Sequence, residues 1–387
     1  MTRERGLNTM IAVPSGDERP RVSEPLSDLL ARHVAAGTVP GAVGVLGDGH
    51  PVSVGLDAPE GAPLRADAIF RVQSMTKAVT AVAALRLIQE GTLALHEPVD
   101  AWLPELRGLR ALPHPDAPLT EARPASRPIT VHHLLTHTSG YGMMTTDSPL
   151  RRAMVDTGME AGPEPVTRGA QDWLDTLSTL PLAFDPGEGW RYHHSFGVLG
   201  ILLGRLGRGS TEEVLATTVF SPSGMVDTGF TVRPGQEHRL VAAFRRSEDG
   251  FVETEPAGAG FSVAPPFDVS HSELVSTVSD YRAFLRALLD GRLIDADLLA
   301  ELRRDQVPSS AKAPDSFFPG FWEGTGWGYG VSIVTEGEHR GRFGWSGGLG
   351  TDFFADPDGT VCVVMAQVDM DERVLGMFGD LQGATSD

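Results

Sequence analysis

A serine and a lysine three residues apart, Ser74 and Lys77, have the types and spacing that covalent catalysis needs. They open an apolar, proline-free run that Gly91 ends, which predicts a helix from Ser74 to Glu90. Residues three apart share a helix face, so the hydroxyl and the amine are expected to meet. A lysine shielded from water has a lowered pKa and can take a proton from a neighbouring hydroxyl. The pair therefore predicts a serine nucleophile with a lysine base.

A second Ser-x-x-Lys pattern, from Ser309 to Lys312, shows that the spacing alone is a weak signal. Lys77 and Lys312 are the only lysines among 32 basic residues, and arginine cannot act as a base in a protein. Lys312 lies in a polar stretch between two prolines, which is typical of an exposed loop. The alternative for Lys77 is a surface lysine with a buried stem. Its apolar surroundings favour the catalytic interpretation.

A serine–lysine pair also needs a group that gives a proton to the leaving group. A tyrosine whose pKa is lowered by nearby cations would be suitable. Of the four tyrosines, Tyr192 lies in a glycine-rich loop before an apolar helix, where catalytic side chains are often displayed. Tyr141 lies in a turn, Tyr329 in a glycine-rich strand, and Tyr281 near a helix start that makes it structural. Position makes Tyr192 a candidate without deciding the choice.

Composition restricts the classes of function. The chain has 387 residues, a net charge of −19 and 41% hydrophobic residues, which indicates a globular protein with ample core. The negative charge argues against nucleic acid and anionic membranes as partners, because both are bound by basic surfaces. Cys362, the single cysteine, lies in an apolar run and is predicted to be buried. Without a signal-peptide pattern or an 18-residue apolar span, we expect a cytoplasmic protein.

Strand patterns lie near both ends of the chain, with helical patterns between them. The predicted strands cover residues 41–46, 51–55, 328–334, 342–345, 351–355 and 360–367. They predict an α/β fold of the α+β type, in which helices flank an antiparallel sheet built from both chain termini and an all-helical part is inserted. We expect an α/β domain from 22–96 and 200–387, a mainly helical domain from 97–199, the active site between them, and a flexible tail over 1–21.

Four segments occur in the order seen in serine β-lactamase-fold proteins: 74–77, 134–140, 186–192 and 344–348. Over about residues 22 to 370 the chain resembles the class C β-lactamase-related group, and most closely the family VIII carboxylesterases. The resemblance implies that Ser74 is the nucleophile, that Lys77 and Tyr192 are the general bases, and that the backbone N–H groups of Ser74 and Gly348 form the oxyanion hole. It also implies a set of substrate-binding residues. These are Trp345, Ser346, Gly347, His194 and Tyr141.

The chain departs from the lactamase pattern at three places. Trp345 stands where the third motif of lactamases has lysine, and His194 stands where asparagine is usual. Glu273 lies in a segment, 270–274, where relatives usually have glycines, so the resemblance assigns no role to the site wall there. An indole offers an apolar wall and one donor instead of a cation that could pair with a substrate carboxylate. Tryptophan also occurs at this place in some family VIII esterases, so neutral esters are favoured over anionic β-lactams.

The resemblance and the residues together predict a serine hydrolase that cleaves short-chain carboxylic esters through an acyl-enzyme, with no cofactor and no metal. The expected partner is a small-molecule ester. One alternative is a β-lactamase or a D-amino-acid amidase or peptidase of the same fold. Another is a module that traps an acyl group without turnover.

Three further patterns have competing interpretations. The Gly-x-Ser-x-Gly sequence at 344–348 matches the nucleophile elbow of α/β-hydrolases, which requires a helix after the serine. His133 and His137 have the spacing of helical metal ligands, although a structural role is favoured. The aromatic cluster at 317–327 is either core or a pocket for the acyl group.

Overall fold

The fold was analysed in a computed structural model that describes residues 24–161, 166–258, 261 and 263–385. The tail predicted over 1–21 lies outside the described residues. The strands are β1 (Glu24–Pro25), β2 (Gly41–Leu46), β3 (Val52–Gly55), β4 (Phe70–Arg71), β5 (Arg110–Ala111), β6 (Arg123–Pro124), β7 (Ala243–Ser247), β8 (Gly250–Glu255), β9 (Val275–Ser276), β10 (Thr325–Trp327), β11 (Ser332–Val334), β12 (Phe343–Gly347), β13 (Thr351–Ala355), β14 (Val361–Met365) and β15 (Ala384–Thr385).

Seven strands form the main sheet, in the order β10-β11-β12-β13-β14-β2-β3. Every neighbouring pair in it is antiparallel. Strands β2 and β3 come from the start of the chain and pair with β14 from its end, so the predicted sheet built from both termini is confirmed. The β2 run is apolar throughout because it is covered on both sides: Val43 and Val45 face one core, whereas Ala42 and Leu46 face another.

The described helices flank this sheet, and none of them is both long and apolar enough to cross a membrane. They are α1 (Leu26–Ala35), α2 (Thr76–Gln89), α3 (Val131–Leu135), α4 (Pro149–Thr157), α5 (Ala170–Ser178), α6 (His194–Gly207), α7 (Thr211–Leu215), α8 (Ser221–Ser223), α9 (Val278–Leu289), α10 (Ala296–Leu302) and α11 (Glu372–Leu381). Helices α1 and α11 bury their apolar stripes on one face of the sheet, and α2 and α9 lie on the other.

Helix α2 is buried through its first ten residues, from Thr76 to Leu85. The small alanines of this run let neighbouring elements approach on all sides, as the uniformly apolar pattern predicted. Gly91 follows the helix with a φ of +74°, which confirms the predicted glycine end signal. One detail differs, since Ser74 lies in a 3₁₀ turn, Gln73–Met75, that leads into the helix.

The strand predicted over 328–334 is wrong in its first half. Residues 328–331 form a turn between β10 and β11, closed by a hydrogen bond from Gly328 N to Val331 O. Gly330 has a φ of +76°, and a Cβ there would lie 2.9 Å from the Cβ of Ala81 and 3.0 Å from the carbonyl oxygen of Lys77. Only glycine lets this turn pack so closely against α2.

Helices α3, α4 and α5 lie within the range predicted for the helical domain. Helix α6 runs through the predicted boundary at residue 199, and the division into two domains stays a prediction. In α3 the N-cap, Thr130, accepts a hydrogen bond from His133 N, which satisfies one of the free N–H groups at the helix start. Cys362 is buried, as predicted.

Candidate active site

The turn that carries Ser74 is held by the strand that faces it. Thr351 Oγ1 on β13 donates a hydrogen bond of 3.1 Å to Val72 O, two residues before Ser74. At the end of β12, a Cβ on Gly347 would lie 2.3 Å from the same Val72 oxygen. Because that distance leaves no room for a side chain, Gly347 brings the strand directly against the serine turn.

Lys77 completes the predicted pair. Its side chain is 0% exposed, and its Nζ lies 3.0 Å from Ser74 Oγ. The amine also donates a hydrogen bond of 2.5 Å to the carbonyl oxygen of His271. Burial lowers the pKa of Lys77 well below its ordinary value, because the charged form loses its hydration. The ammonium loses its proton readily here, so the amine can serve as a base.

Tyr192 lies on the other side of the same serine. Its hydroxyl lies near the Ser74 side chain and accepts a hydrogen bond of 2.6 Å from Trp345 Nε1. The Nζ of Lys77 lies 4.4 Å from the centre of the Tyr192 ring. The expectation of a lowered tyrosine pKa is wrong, because burial raises the pKa of Tyr192 above its usual value. The phenol therefore keeps its proton at neutral pH.

Strand β12 presents alternate residues to opposite sides. Trp345 is 6% exposed and faces Tyr192, with its ring edge-on to Trp327 at 4.7 Å. Ser346 donates a hydrogen bond of 2.6 Å to Asp352, and burial raises the pKa of that carboxyl to about 7. A Cβ on Gly348 would meet nothing within 4 Å, so this residue borders open space. The substrate-binding role of Ser346 stays a prediction, since its hydroxyl is already engaged.

Four buried imidazoles surround the lysine: His137, His193, His194 and His271. Burial lowers the pKa of each of them, and the nearby Lys77 amine lowers it further. The rings of His193 and His271 are 3.9 Å apart, centre to centre. All four rings are neutral at neutral pH, so the interior around the amine carries little positive charge.

Backbone strain is concentrated beside the predicted catalytic residues. Gln73, His137 and His193 have φ values of 48°, 59° and 97°, although none of them is glycine. Gln73 precedes Ser74, and His193 follows Tyr192. Strained conformations persist only where the surrounding structure holds them, and they are common at functional sites. Two of these conformations lie directly next to Ser74 and Tyr192 in the chain, which marks this region as a candidate functional site.

Two residues predicted to bind substrate, His194 and Tyr141, are buried. The Nε2 of His194 is hydrogen-bonded to the carbonyl oxygen of Met159 at 2.8 Å. Tyr141 is 3% exposed, and its hydroxyl has no hydrogen-bond partner within the described part of the chain. Glu273 accepts a hydrogen bond from Val166 N, and burial raises the pKa of its carboxyl to about 7. The roles of His194 and Tyr141 stay predictions.

The geometry distinguishes between the competing interpretations of the 344–348 motif and of the histidines His133 and His137. Ser346 lies within β12 and is followed by another strand, so the nucleophile-elbow alternative is wrong. His133 Nδ1 accepts a hydrogen bond from Thr130 N, which gives this histidine the structural role that was favoured. His137 packs among aromatic rings, 4.9 Å from the ring of Tyr192 and 5.3 Å from Trp327.

The aromatic cluster at 317–327 is mainly core, with a half-buried edge at the site. Phe318, Phe321 and Trp327 are at most 5% exposed. Phe317 is half-buried, and its ring lies 5.0 Å from that of Tyr192. Phe318, Phe321 and Trp327 thus belong to the core, whereas Phe317 borders the candidate site.

Sequence reasoning did not find the partners that complete the site. The backbone carbonyl of His271 accepts a hydrogen bond from Lys77. Every residue has such a carbonyl, so the residue type does not predict this contact. The hydrogen bond from Trp345 to Tyr192 spans 153 residues of the chain. The single N–H donor of the Trp345 indole was the only feature of the sequence that could have suggested this hydrogen bond.

An antiparallel sheet from both termini, with α2 packed on it and a serine at the start of that helix, defines a serine hydrolase of the β-lactamase fold. The chain belongs to the beta-lactamase family, whose sequence profile matches residues 26–373. The resemblance inferred from the four motifs is therefore confirmed.

Named relatives agree with this membership. Esterase EstB of Burkholderia gladioli is 30% identical over 328 residues, which cover 78% of this chain and 77% of the relative. Protein Rv1367c of Mycobacterium tuberculosis is 34% identical over 318 residues, with the same coverage of 78% and 77%. The solved structure of EstCE1, a hydrolase with promiscuous acyltransferase activity, has a TM-score of 0.76 at 22% identity and covers 91% of this chain and 96% of its own. The likeness to EstCE1 concerns the fold.

Proposed function

We propose that this protein hydrolyses neutral, short-chain carboxylic esters through an acyl-enzyme on Ser74. The observation that carries the proposal is the position of Lys77 Nζ, 3.0 Å from Ser74 Oγ and fully shielded from water. The 30% identity to Esterase EstB supports an ester as the substrate.

The directions of the hydrogen bonds support a division of roles. An indole N–H can only donate, so Tyr192 accepts from Trp345 and keeps its own proton for Ser74. A neutral amine has one lone pair, so Lys77 can accept the proton of Ser74 while it donates to the His271 carbonyl. Ser74 thus loses its proton to Lys77 as its oxygen attacks the ester carbonyl.

The remaining steps follow from the same groups. Tyr192 gives its proton to the departing alkoxide and regains one from the Lys77 ammonium, and its ring 4.4 Å from Nζ stabilises that cation meanwhile. The backbone N–H groups of Ser74 and Gly348 would stabilise the oxyanion, each by about 2.7–4 kcal/mol. Water, activated by the same base, then releases the acid.

The charge of the site favours a neutral substrate. The four imidazoles near Lys77 are neutral, the Lys77 amine has a lowered pKa, and Trp345 replaces the lysine of lactamases. A carboxylate would lose its hydration here without gaining a cation.

Steady-state and burst kinetics of wild-type protein on p-nitrophenyl acetate test the proposal. Continuous release of p-nitrophenol over many turnovers is expected, with an acetyl group trapped on the peptide that contains Ser74 after acid quench. A single stoichiometric burst would favour an acyl-trapping module instead. Absence of any reaction with esters, together with cleavage of a D-amino-acid amide, would favour the amidase alternative.

The pH dependence should report the lowered pKa of Lys77. The amine acts as a base only when neutral, so kcat/KM is expected to rise as the pH increases through the lowered pKa and to be level above it. The raised pKa of Tyr192 keeps its proton in place, which extends the level region into alkaline solution. A rate profile of an ester across the acid-to-alkaline range measures this. A rise only near the ordinary lysine value of 10.5 would contradict the buried-amine mechanism.

Restoring a cation at the third motif should change substrate preference. Trp345→Lys is expected to raise the ratio of kcat/KM for a cephalosporin over that for a neutral ester by roughly tenfold, because a charge-assisted hydrogen bond to the carboxylate is worth about 1.5–3 kcal/mol. Trp345→Phe is the matched control, since it also removes the bond to Tyr192 but adds no charge. Equal ratios in the two variants would show that charge at this position does not select the substrate.

A further inference from the structure

The ring of Phe317 lies beside the rings of the proposed proton donor, Tyr192, and of its hydrogen-bond partner, Trp345. It is 5.0 Å from the ring of Tyr192 and 6.3 Å from that of Trp345, and the rings of Tyr192 and Trp345 are 5.4 Å apart. Tyr192 and Trp345 are almost fully buried, whereas Phe317 is half-buried. Phe317 is therefore the most exposed of the three rings and the one that a bound group can reach most easily.

The segment that carries Phe317, the aromatic loop (residues 313–322), is anchored at Asp315 and closed by a hydrogen bond within the loop. Arg191, next to Tyr192 in the chain, is 3% exposed and lies 3.2 Å from the carboxylate of Asp315. Thr145 Oγ1 donates a hydrogen bond of 2.6 Å to the carbonyl oxygen of Asp315. Within the loop, Trp322 Nε1 donates a hydrogen bond of 2.8 Å to Ser316 Oγ.

These contacts determine the part of the substrate that Phe317 can touch. In the proposed function, on which this inference rests, the Tyr192 hydroxyl gives its proton to the departing alcohol. Groups that flank this hydroxyl must then flank the alcohol portion of the ester. We propose that Phe317, together with Trp345, forms the binding surface for that portion and selects esters of aromatic or other bulky apolar alcohols.

The anchoring makes this surface rigid before substrate arrives. A buried guanidinium needs a partner, so the ion pair between Arg191 and Asp315 keeps the loop against the Tyr192 segment. A preformed aromatic wall loses little conformational entropy on binding, which strengthens recognition of a flat group. Arg191 and Asp315 are thus positioning residues, while Phe317 makes the contact.

Two substrate series separate the alcohol side from the acyl side. The first keeps the acetyl group and changes the alcohol, from methyl to benzyl acetate. The second keeps p-nitrophenol and changes the acyl chain, from acetate to hexanoate. Phe317→Ala is expected to lower the benzyl-to-methyl ratio of kcat/KM by roughly threefold to tenfold and to leave the acyl-chain profile unchanged in shape.

Two further variants isolate the contact from loop stability. Asp315→Asn should lower the same benzyl-to-methyl ratio by a smaller factor, because the loop stays but its anchor weakens. Phe318→Leu is the matched control, since the described ring contacts of Phe318 are with Phe317 and Phe321. It should leave the ratio within twofold of wild type.

The outcomes are distinct. A changed acyl-chain profile with an unchanged benzyl-to-methyl ratio would place Phe317 on the acyl side and overturn the inference. An equal loss on all esters in Phe317→Ala would show a structural role only and would also overturn it. Failure of wild-type protein to turn over any ester would instead overturn the proposed function.

Discussion

Substitution of Ser74 by alanine is expected to abolish ester hydrolysis, with a loss on the order of 10⁶ in kcat, as loss of a serine nucleophile does in a catalytic triad. The proposed acyl-enzyme forms on this oxygen, and no other hydroxyl in the described structure lies between the Lys77 amine and the Tyr192 phenol. The assay is release of p-nitrophenol at enzyme concentrations high enough to detect residual turnover. A loss smaller than about tenfold would exclude Ser74 as the nucleophile.

The chain supplies its own matched control for this substitution. Ser309 belongs to the second Ser-x-x-Lys pattern, which forms an exposed 3₁₀ turn. The lysine of that pattern, Lys312, is paired with Asp305 and not with the serine. Ser309→Ala should keep wild-type activity. Because Ser74 is half-buried and leaves no large cavity on truncation, Ser74→Ala should also unfold within a few degrees of wild type.

Lys77→Arg is expected to lower kcat/KM by about 10²–10⁴, the range that a general base contributes. Arginine keeps the positive charge but cannot release its proton, so it cannot accept the proton of Ser74. The same change at the other lysine, Lys312→Arg, keeps the ion pair with Asp305 and should be silent. Activity of Lys77→Arg close to that of wild type would refute the base role.

A third variant separates loss of the base from loss of the fold. Lys77→Met keeps the apolar stem and removes the amine. The unfolded chain binds the proton of Lys77 more tightly than the folded chain does, so its lowered pKa opposes folding at neutral pH. Removal of the amine relieves this cost but leaves the His271 carbonyl without its donor. Lys77→Met is thus expected to fold with stability near that of wild type and to be inactive, as thermal unfolding and the ester assay would show.

Much of the sheet could be predicted from the sequence. The predicted strand 351–355 is observed as Thr351–Ala355, and 41–46 as Gly41–Leu46. Both are apolar runs between turn residues, a local signal that packing strengthens. The prediction of a strand over 328–334 was wrong at its start because of a packing contact with a distant part of the chain. From the sequence, Gly330 is a residue that merely weakens a strand. In the structure it lets the turn pack closely against α2, which lies about 250 residues earlier in the chain.

The sequence by itself determined the local part of the candidate site. Ser74 and Lys77 meet because three residues of helical backbone bring any such pair together, and burial of the lysine could be inferred from the apolar residues around it. Tertiary structure decided the rest. Tyr192 and Trp345 meet across 153 residues, and the Lys77 amine and its carbonyl acceptor on His271 across 194. The sign of the pKa shift of Tyr192 depends on how much water the finished fold excludes, and that quantity belongs to the packed chain and not to any segment of it.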